Sequence, residues 1–314
     1  MNRSAREVFG RDLNPDSAQF PLYLITHCQE TDNLVKRAKV EQRTLSGDCQ
    51  IKTVTGKSTF FVMISPIKAS EDGFILTFHD VSEIRKIQKM RSDFVSNVTH
   101  ELKTPLTSIR GFIDTLRAGA LDKPEVAGRF LEIIDIEAER LHKLISDILI
   151  LSEIEDMRQD HDLEDFDINA LIDSVVVLLD ETAASRQVTI IAESDGSTLP
   201  VHANPFRIKQ VLINLAENAI KYNLEGGKVM IKAERLSKNL VRLSVSDTGP
   251  GIAPEHQERI FERFYRVDTS HSRELGGTGL GLSIVKHIAQ LYGGSAKVIS
   301  QPGLGATFIV DLAI

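Results

Sequence analysis

The sequence lacks a disulfide framework, a long apolar run and a signal peptide. Its two cysteines, Cys28 and Cys49, match neither a disulfide nor a metal spacing, and we interpret them as inert thiols that fit a reducing compartment. No apolar stretch reaches the roughly 18–20 residues that a membrane-spanning helix needs. The first ten residues have no apolar core of the signal-peptide type. We therefore expect the chain as given to be soluble and cytoplasmic.

The sequence also lacks an excess of positive charge. It contains 37 basic and 44 acidic residues, with a net charge of −7, so we expect no nucleic-acid surface. The 314 residues, 42% of them hydrophobic, are enough for two or three domains with their own cores. We expect an α+β multidomain protein.

The first region, residues 1–82, mixes short apolar runs with turn signals. Residues 51–64 predict two strands around a turn at Gly56, and residues 73–78 predict a third strand. These signals together indicate a small α+β module.

The second region, residues 83–156, predicts two long helices separated by Gly119 and residues 122–124. The first helix has an apolar seam with alternating spacings of three and four, and Glu137 interrupts a matching seam on the second. Two such helices cannot close a core alone, so we expect two chains to form a homodimeric four-helix bundle. The alternative is a hairpin packed on another domain of the same chain. The first seam consists of Val95, Val98, Leu102, Pro105, Ile109, Phe112 and Leu116.

The third region, residues 163–314, alternates helix-like and strand-like patterns. Residues 153–167 contain eight acidic residues and one basic residue and predict a solvated hinge before it. Asn204 and Pro205 open a predicted helix that ends near Tyr222. We expect helices on one face of a mixed sheet.

The first helix carries a histidine with informative neighbours. His100 falls at the outermost heptad position, where a histidine is usually an ordinary surface residue. However, Glu101 follows directly, and its carboxylate can accept the Nδ1 proton of His100 and raise the nucleophilicity of Nε2. Pro105 lies five residues on and predicts a bend. The sequence gives only weak support for a zinc site, because the second histidine of a His-Glu-x-x-His helix is missing.

The third region has features suited to a nucleotide. Asn214 and Asn218 lie one turn apart on the predicted helix, where their oxygens can face Mg²⁺ near phosphates, and Lys221 adds a positive charge. Asp247 ends a strand and can accept from an adenine amino group. Glycines at 249, 251, 277, 279 and 281 allow the backbone to come close to a nucleotide, and their backbone amides can donate to phosphates. A dinucleotide fingerprint and a P-loop are excluded because the glycine spacings do not match.

Residues 92–312 resemble the dimerisation and catalytic domains of sensor histidine kinases, because the expected sequence boxes occur in order. The H box is residues 94–106, the N box 214–222, the first glycine box 247–252, the F box 261–264 and the second glycine box 277–281. Residues 305–308 resemble the last box. The resemblance implies an ATP-binding α/β sandwich of the type shared with gyrase, Hsp90 and MutL.

The resemblance also implies roles for individual residues. His100 is the implied phosphoacceptor, Glu101 its acid/base partner, and Thr104 the residue that positions water when the regulator is dephosphorylated. Asn218 is the implied main Mg²⁺ ligand, Asn214 assists it, and Asp247 reads adenine. Further implied ATP-binding residues are Lys221, Tyr222, Gly249, Gly251, Gly277, Gly279, Gly281 and Thr307. The implied partners are a second copy of the chain and the receiver domain of a response regulator.

Residues 2–10 and 80–82 resemble parts of a PAS sensor module whose first two strands are missing. The resemblance therefore implies an N-terminally shortened chain, with any membrane anchor upstream of it. The layout resembles phosphate-regulon and cell-wall-stress sensor kinases.

Two other functions stay open at this point. If the chain were a gyrase-type ATPase, we would expect a carboxylate residue at position 214 in place of Asn214. If it were a degenerate kinase that serves as a scaffold, we would expect at least one of the sequence boxes to be broken. Neither the stimulus nor the choice between phosphorylation within or between subunits can be read from the sequence.

Overall fold

The structure is a computed structural model that describes residues 2–9, 26, 28–54, 56–67, 73–157, 159–194, 196–267 and 277–314. The chain divides into two compact units, residues 1–96 and 97–314. Helix α3 (Ser82–Arg117) begins in the first unit and ends in the second.

The first unit contains an antiparallel three-stranded sheet in the order β1-β2-β3. Thr53 pairs with Gly56 across the hairpin, so the predicted pair of strands around Gly56 is confirmed, as is the third strand. Among the described residues before α3, the unit contains α1 (Arg3–Phe9), α2 (Gln29–Glu41), β1 (Leu45–Thr53), β2 (Gly56–Pro66) and β3 (Phe74–Asp80).

The core of the first unit lies between this sheet and its helices. Ile51, Val62 and Ile64 are fully buried, and the ring of Phe9 packs edge-on against Phe78 with centroids 5.3 Å apart. The start of α3 is tied to the sheet, because Ser82 Oγ accepts from the Thr59 backbone N–H at 2.8 Å.

Two long helices follow, as predicted. Helix α3 ends at Arg117, a 3-10 turn covers Ala120–Asp122, and α4 (Pro124–Asp156) begins with proline in its first turn. The helix continues through Pro105, which is buried. Phe112 on α3 packs against Phe130 on α4 with ring centroids 5.1 Å apart. Val95 at the start of the seam remains 56% exposed in the single chain.

The rest of the second unit is a sheet covered by helices. The strand order is β5-β7-β8-β10-β9, in which only the β5–β7 pairing is parallel, and β4 and β6 form a separate antiparallel pair. The mixed sheet is therefore confirmed. The strands are β4 (Glu164–Asp167), β5 (Thr189–Glu193), β6 (Pro200–Ala203), β7 (Lys228–Ser237), β8 (Leu240–Asp247), β9 (Ser295–Ser300) and β10 (Ala306–Leu312). The α-helices in the described part of this region are α5 (Ile168–Ser185), α6 (Pro205–Lys221), α7 (Pro254–Gln257) and α8 (Gly281–Leu291), and a 3-10 turn covers Arg259–Phe261.

Helices α5, α6 and α8 pack on the sheet and on one another. Alternate residues of the central strands, including Val229, Ile231, Val241 and Leu243, are fully buried, as expected for a sheet with one covered face. The predicted start of α6 is confirmed, because the Asn204 side chain caps the helix by accepting from the Phe206 backbone N–H at 3.0 Å.

The prediction of a solvated hinge over residues 153–167 is wrong in part. Residues 153–156 continue α4, and residues 164–167 form β4. Asp160 accepts from the Tyr292 hydroxyl and from Asn204 Nδ2. An acidic composition favours exposure to solvent, but the Asp160 carboxylate accepts from donors that lie far away in the sequence.

Within the described ranges, none of the helices combines the length and the apolar character required to traverse a bilayer.

Candidate active site

The second unit contains a cavity of about 430 Å³, within the size range of small-molecule sites. It lies between α6, the turn after β8, residues 265–267 and the glycine segment before α8. Helix α4 contributes Lys143 and Asp147 to its wall. The cavity is therefore built from elements that are far apart in the chain.

Helix α6 presents one polar face to the cavity. Asn214, Asn218 and Lys221 all line it, and Asn214 is only 5% exposed. Within the described part of the chain, Asn214 Nδ2 has no hydrogen-bond partner. A buried amide without a partner is costly unless a ligand or water binds it. This amide is therefore a candidate ligand contact.

The carboxylate at the end of β8 is held in a fixed orientation. Asp247 Oδ1 accepts from the backbone N–H groups of Gly249 at 2.9 Å and Ala306 at 3.2 Å. Among the described residues, no donor reaches Oδ2, which leaves this oxygen available to a ligand amino group. Burial raises the pKa of the Asp247 carboxyl.

Two glycines let the backbone approach closely around this site. Gly251 has φ +73°, and a Cβ atom there would lie 2.1 Å from the Gln301 carbonyl oxygen. Gly279 has the same φ, and its Cβ would lie 2.9 Å from the Phe264 Cα atom. Any other residue would push these segments apart.

The cavity wall carries three basic residues, Lys143, Lys221 and Arg266, and three acidic residues, Asp147, Glu217 and Asp247. Burial, followed by the positive charges of Lys143, Arg266 and Arg186, lowers the pKa of Lys221 to about 8. An incoming phosphate would relieve this repulsion.

The glycine segment is hydrogen-bonded to helix α4. Thr278 Oγ1 donates to Asp147 Oδ2 at 2.8 Å and accepts from the Leu280 backbone N–H at 3.3 Å. Asp147 is 3% exposed, and burial raises its carboxyl pKa. Sequence reasoning did not identify Asp147. A signal existed, because Asp147 lies among the apolar positions Leu144, Leu151 and Ile154 on the buried face of α4.

His100 lies on the exposed surface of α3, as predicted, but not in the cavity. It borders an open groove that also includes Thr104 and Phe112. The Thr104 hydroxyl donates to the His100 carbonyl oxygen at 3.2 Å.

Glu101 makes a different contact from the one predicted. Among the hydrogen bonds of the described residues, none joins the Glu101 carboxylate to His100. Instead, Arg266 Nη2 donates to Glu101 Oε2 at 2.9 Å, and Arg140 Nη2 lies 3.6 Å from the same oxygen. The physical reason is that consecutive helical residues do not face each other. Because Arg266 also lines the cavity, this contact joins the neighbour of His100 to the cavity wall.

Most of the predicted nucleotide residues meet in one place. Gly249 and Thr307 are not among the described residues that line the cavity. Gly249 instead supports Asp247, and the Thr307 hydroxyl lies 2.9 Å from the Ser246 hydroxyl. The Thr307 side chain lies on the other face of β10, because side chains alternate along a strand and its neighbours Ala306 and Phe308 line the cavity. The predicted residues that line it are Asn214, Asn218, Lys221, Tyr222, Asp247, Gly251, Gly277, Gly279 and Gly281.

Two families match different parts of the chain. Residues 90–156 match the family described as His Kinase A (phospho-acceptor) domain, and this range includes His100. Residues 203–314 match the family described as histidine kinase-, DNA gyrase B-, and HSP90-like ATPase, and this range includes most of the cavity.

Individual relatives show both parts together. Sensor histidine kinase WalK of Bacillus subtilis (strain 168) is 37% identical over 77% of this chain, which spans 39% of the length of WalK. Full-length ShkA in complex with AMPPNP is 29% identical to this chain, with a TM-score of 0.54, and the match covers 70% of this chain and 45% of the ShkA chain. Histidine kinase ThkA in complex with response regulator protein TrrA is 30% identical, with a TM-score of 0.58, and the match covers 90% of this chain and 82% of the matched chain. The phosphoacceptor helix, the nucleotide-type cavity and these likenesses together show that this chain belongs to the sensor histidine kinase family.

Proposed function

We propose that this chain binds ATP and transfers its γ-phosphoryl group to His100. The observation that carries the proposal is the contact between Arg266 and Glu101, because one residue lines the cavity and the other adjoins His100 on α3. The phosphoacceptor helix thus reaches the edge of the site that would hold the phosphoryl donor.

The cavity residues fit ATP in three respects. Asp247 Oδ2 is free to accept from the adenine amino group, and Lys221 and Arg266 offer positive charge to the phosphates. Asn214 brings a buried amide without a described partner. Asn218, assisted by Asn214, would hold Mg²⁺, which would neutralise phosphate charge. Tyr222 and the glycines at 251, 277, 279 and 281 would complete the binding site, and Gly249 would support Asp247.

The transfer requires the nucleotide and His100 to approach each other. His100 Nε2 attacks the γ-phosphorus, a nitrogen–phosphorus bond forms, and the bond to the bridging oxygen of ADP breaks. Catalysis is then mostly positioning and charge neutralisation. Glu101 would act as the acid/base partner of His100 after releasing Arg266, since the contact seen here occupies its carboxylate.

We propose that the phosphoryl group next passes to an aspartate on the receiver domain of a response regulator. The likeness to ThkA, whose structure contains the regulator TrrA, supports this partner. Thr104 borders the same groove as His100, and we propose that it positions water for regulator dephosphorylation. Because Thr104 donates its proton to a backbone carbonyl, its oxygen remains able to accept from water.

The proposed domains are a PAS-like sensor module at 1–82, a dimerisation and phosphotransfer domain at 83–156 and a catalytic domain at 163–314. The antiparallel sheet and the direct passage from β3 into α3 support the first assignment. Five of the seven seam residues on α3 are not fully buried in the single chain, and Val95 is 56% exposed, which supports pairing of two chains into a four-helix bundle. Since ATP is the proposed phosphoryl donor, we propose that the site faces the cytoplasm.

Incubation with ATP labelled at the γ-phosphate tests this function. We expect a label on the protein that acid removes and alkali does not, as for phosphohistidine. A gyrase-type ATPase would release phosphate without labelling the protein, and a scaffold would do neither. Either of these results would overturn the proposal.

A further inference from the structure

The wall that helix α4 contributes to the cavity carries a buried carboxylate. Asp147 lines the cavity and is 3% exposed, and its Oδ2 accepts from Thr278 Oγ1 at 2.8 Å. Asp147 therefore joins α4 to the glycine segment that precedes α8. The phosphoryl transfer proposed above gives this acidic group no role, although it stands in a site that would receive a polyanion.

Asp147 lies at the end of the cavity that is suited to phosphates. A Cβ atom on Gly277 would lie 2.6 Å from Lys221 Nζ, so an ammonium group borders the start of the glycine segment. A Cβ atom on Gly281 would lie 3.0 Å from Asn214 Oδ1 at its other end. Helix α8 begins at Gly281, and the free N–H groups of a helix N-terminus attract phosphate. The carboxylate bonded to this segment is therefore close to any bound phosphates.

Among the described residues, Asp147 has no cationic partner within ion-pair distance. Lys143, one turn earlier on α4, pairs instead with Glu217 Oε2. Burial raises the pKa of the Asp147 carboxyl in spite of the Thr278 hydrogen bond and the positive charge of Lys143. Negative charge that arrives beside a buried carboxylate increases the cost of its ionised form. Bound phosphates must therefore drive a proton onto Asp147 or separate from it.

We propose that the Asp147 carboxylate makes the packing of α4 on the glycine segment and the binding of nucleotide phosphates oppose each other. The opposition increases with phosphate charge, so it is largest for ATP, smaller for ADP and smallest for AMP. Since coupling between two binding events is reciprocal, ATP weakens the hold of α4 on the glycine segment as much as α4 weakens ATP binding. This regulation rests on the nucleotide binding proposed above.

The opposition links the nucleotide to the movement that phosphoryl transfer requires. The bond from Thr278 to Asp147 holds the cavity against α4, whereas His100 lies on α3 outside the cavity. A triphosphate favours release of this bond and so frees the cavity to approach His100 when a phosphoryl donor is bound. ADP carries less charge and allows the bond to form again after transfer.

Calorimetric titration of the full 314-residue chain with ATP, ADP and AMP, each with Mg²⁺, measures the opposition. Asp147→Asn removes the charge and keeps an oxygen that can accept from Thr278. We expect its affinity for ATP to rise about 5-fold or more, its affinity for ADP to rise less, and its affinity for AMP to stay unaltered. Asp147→Ser, which also lacks the charge, should show the same order. Asp135→Asn removes a negative charge from the exposed surface of the same helix and should change none of the three affinities.

Hydrogen–deuterium exchange over residues 143–156 measures the reciprocal effect. Leu144, Leu151 and Ile154 are buried in this part of α4, and α8 packs on the helix. Loss of that packing should make local opening easier and exchange faster. Saturating ATP should therefore speed exchange there more than saturating AMP does, and the difference should be smaller in Asp147→Asn.

The outcomes separate this regulation from the proposed function. Equal gains for ATP and AMP in the Asp147 variants, or no gain for ATP, would overturn the role of the Asp147 charge. Equal exchange of wild-type α4 with ATP and with AMP would overturn the release. Nucleotide binding without these graded effects thus counts against the regulation alone, whereas a wild-type chain that binds none of the three nucleotides would overturn the proposed function as well.

Discussion

Replacing Asp247 with asparagine changes a single acceptor atom in the cavity. Oδ1 already accepts from the Gly249 and Ala306 backbone N–H groups, and an asparagine oxygen can keep both bonds. The amide nitrogen then stands where Oδ2 stood. A group that accepts from the adenine amino group becomes one that donates.

The expected loss follows from the bond that is removed. A hydrogen bond to a charged group contributes about 1.5–3 kcal/mol, and each 1.4 kcal/mol changes affinity about tenfold. We therefore expect Asp247→Asn to weaken ATP binding about 10- to 100-fold. The fold should be retained, because both backbone bonds remain. Since burial raises the pKa of the Asp247 carboxyl, removing its charge also removes a cost of burial.

Calorimetric titration with ATP and GTP measures the effect. The new amide donor suits the guanine carbonyl oxygen, so the preference for ATP over GTP should fall as well. Asp167→Asn is a matched control, because Asp167 Oδ1 accepts from the Asn169 and Leu199 backbone N–H groups outside the cavity. Unchanged ATP affinity in a folded Asp247→Asn protein, or an equal loss for both nucleotides, would refute this reasoning.

Other variants separate the proposed steps. His100→Gln should abolish autophosphorylation while ATP affinity, measured by titration, stays near normal; phosphohistidine in that variant would exclude His100 as the acceptor. Asn218→Ala should lose Mg²⁺-dependent nucleotide binding, and unchanged affinity with Mg²⁺ would contradict its place in the site. Thr104→Ala should keep autophosphorylation within a few-fold and lower regulator dephosphorylation by about 10-fold or more. Equal losses of the two activities, measured on this one variant, would contradict the role proposed for Thr104. Without a ligand in the cavity, the pKa of Lys221 is about 8, and we expect bound phosphates to raise this pKa. ATP binding near pH 8 should therefore be accompanied by proton uptake, and the affinity for ATP should fall as pH rises. Calorimetry in buffers of different ionisation enthalpy should show this uptake in the wild type and not in Lys221→Met.

Local patterns in the sequence determined the elements and most of the cavity. The alternation of Val241, Leu243 and Val245 predicted β8, and Asn204 with Pro205 predicted the start of α6. The period of two in a strand and the capping of a helix depend on residues close in the chain, so they can be read without the fold. The nucleotide residues could be proposed for the same reason, since each motif is contiguous.

Contacts between distant residues were decided by the tertiary structure alone. Asp147 meets Thr278 across 131 positions, and Arg266 meets Glu101 across 165. A local pattern states which face of a helix is apolar, but not which segment covers it. For that reason the sequence predicted Glu101 beside His100, whereas packing turned its carboxylate toward an arginine on another element.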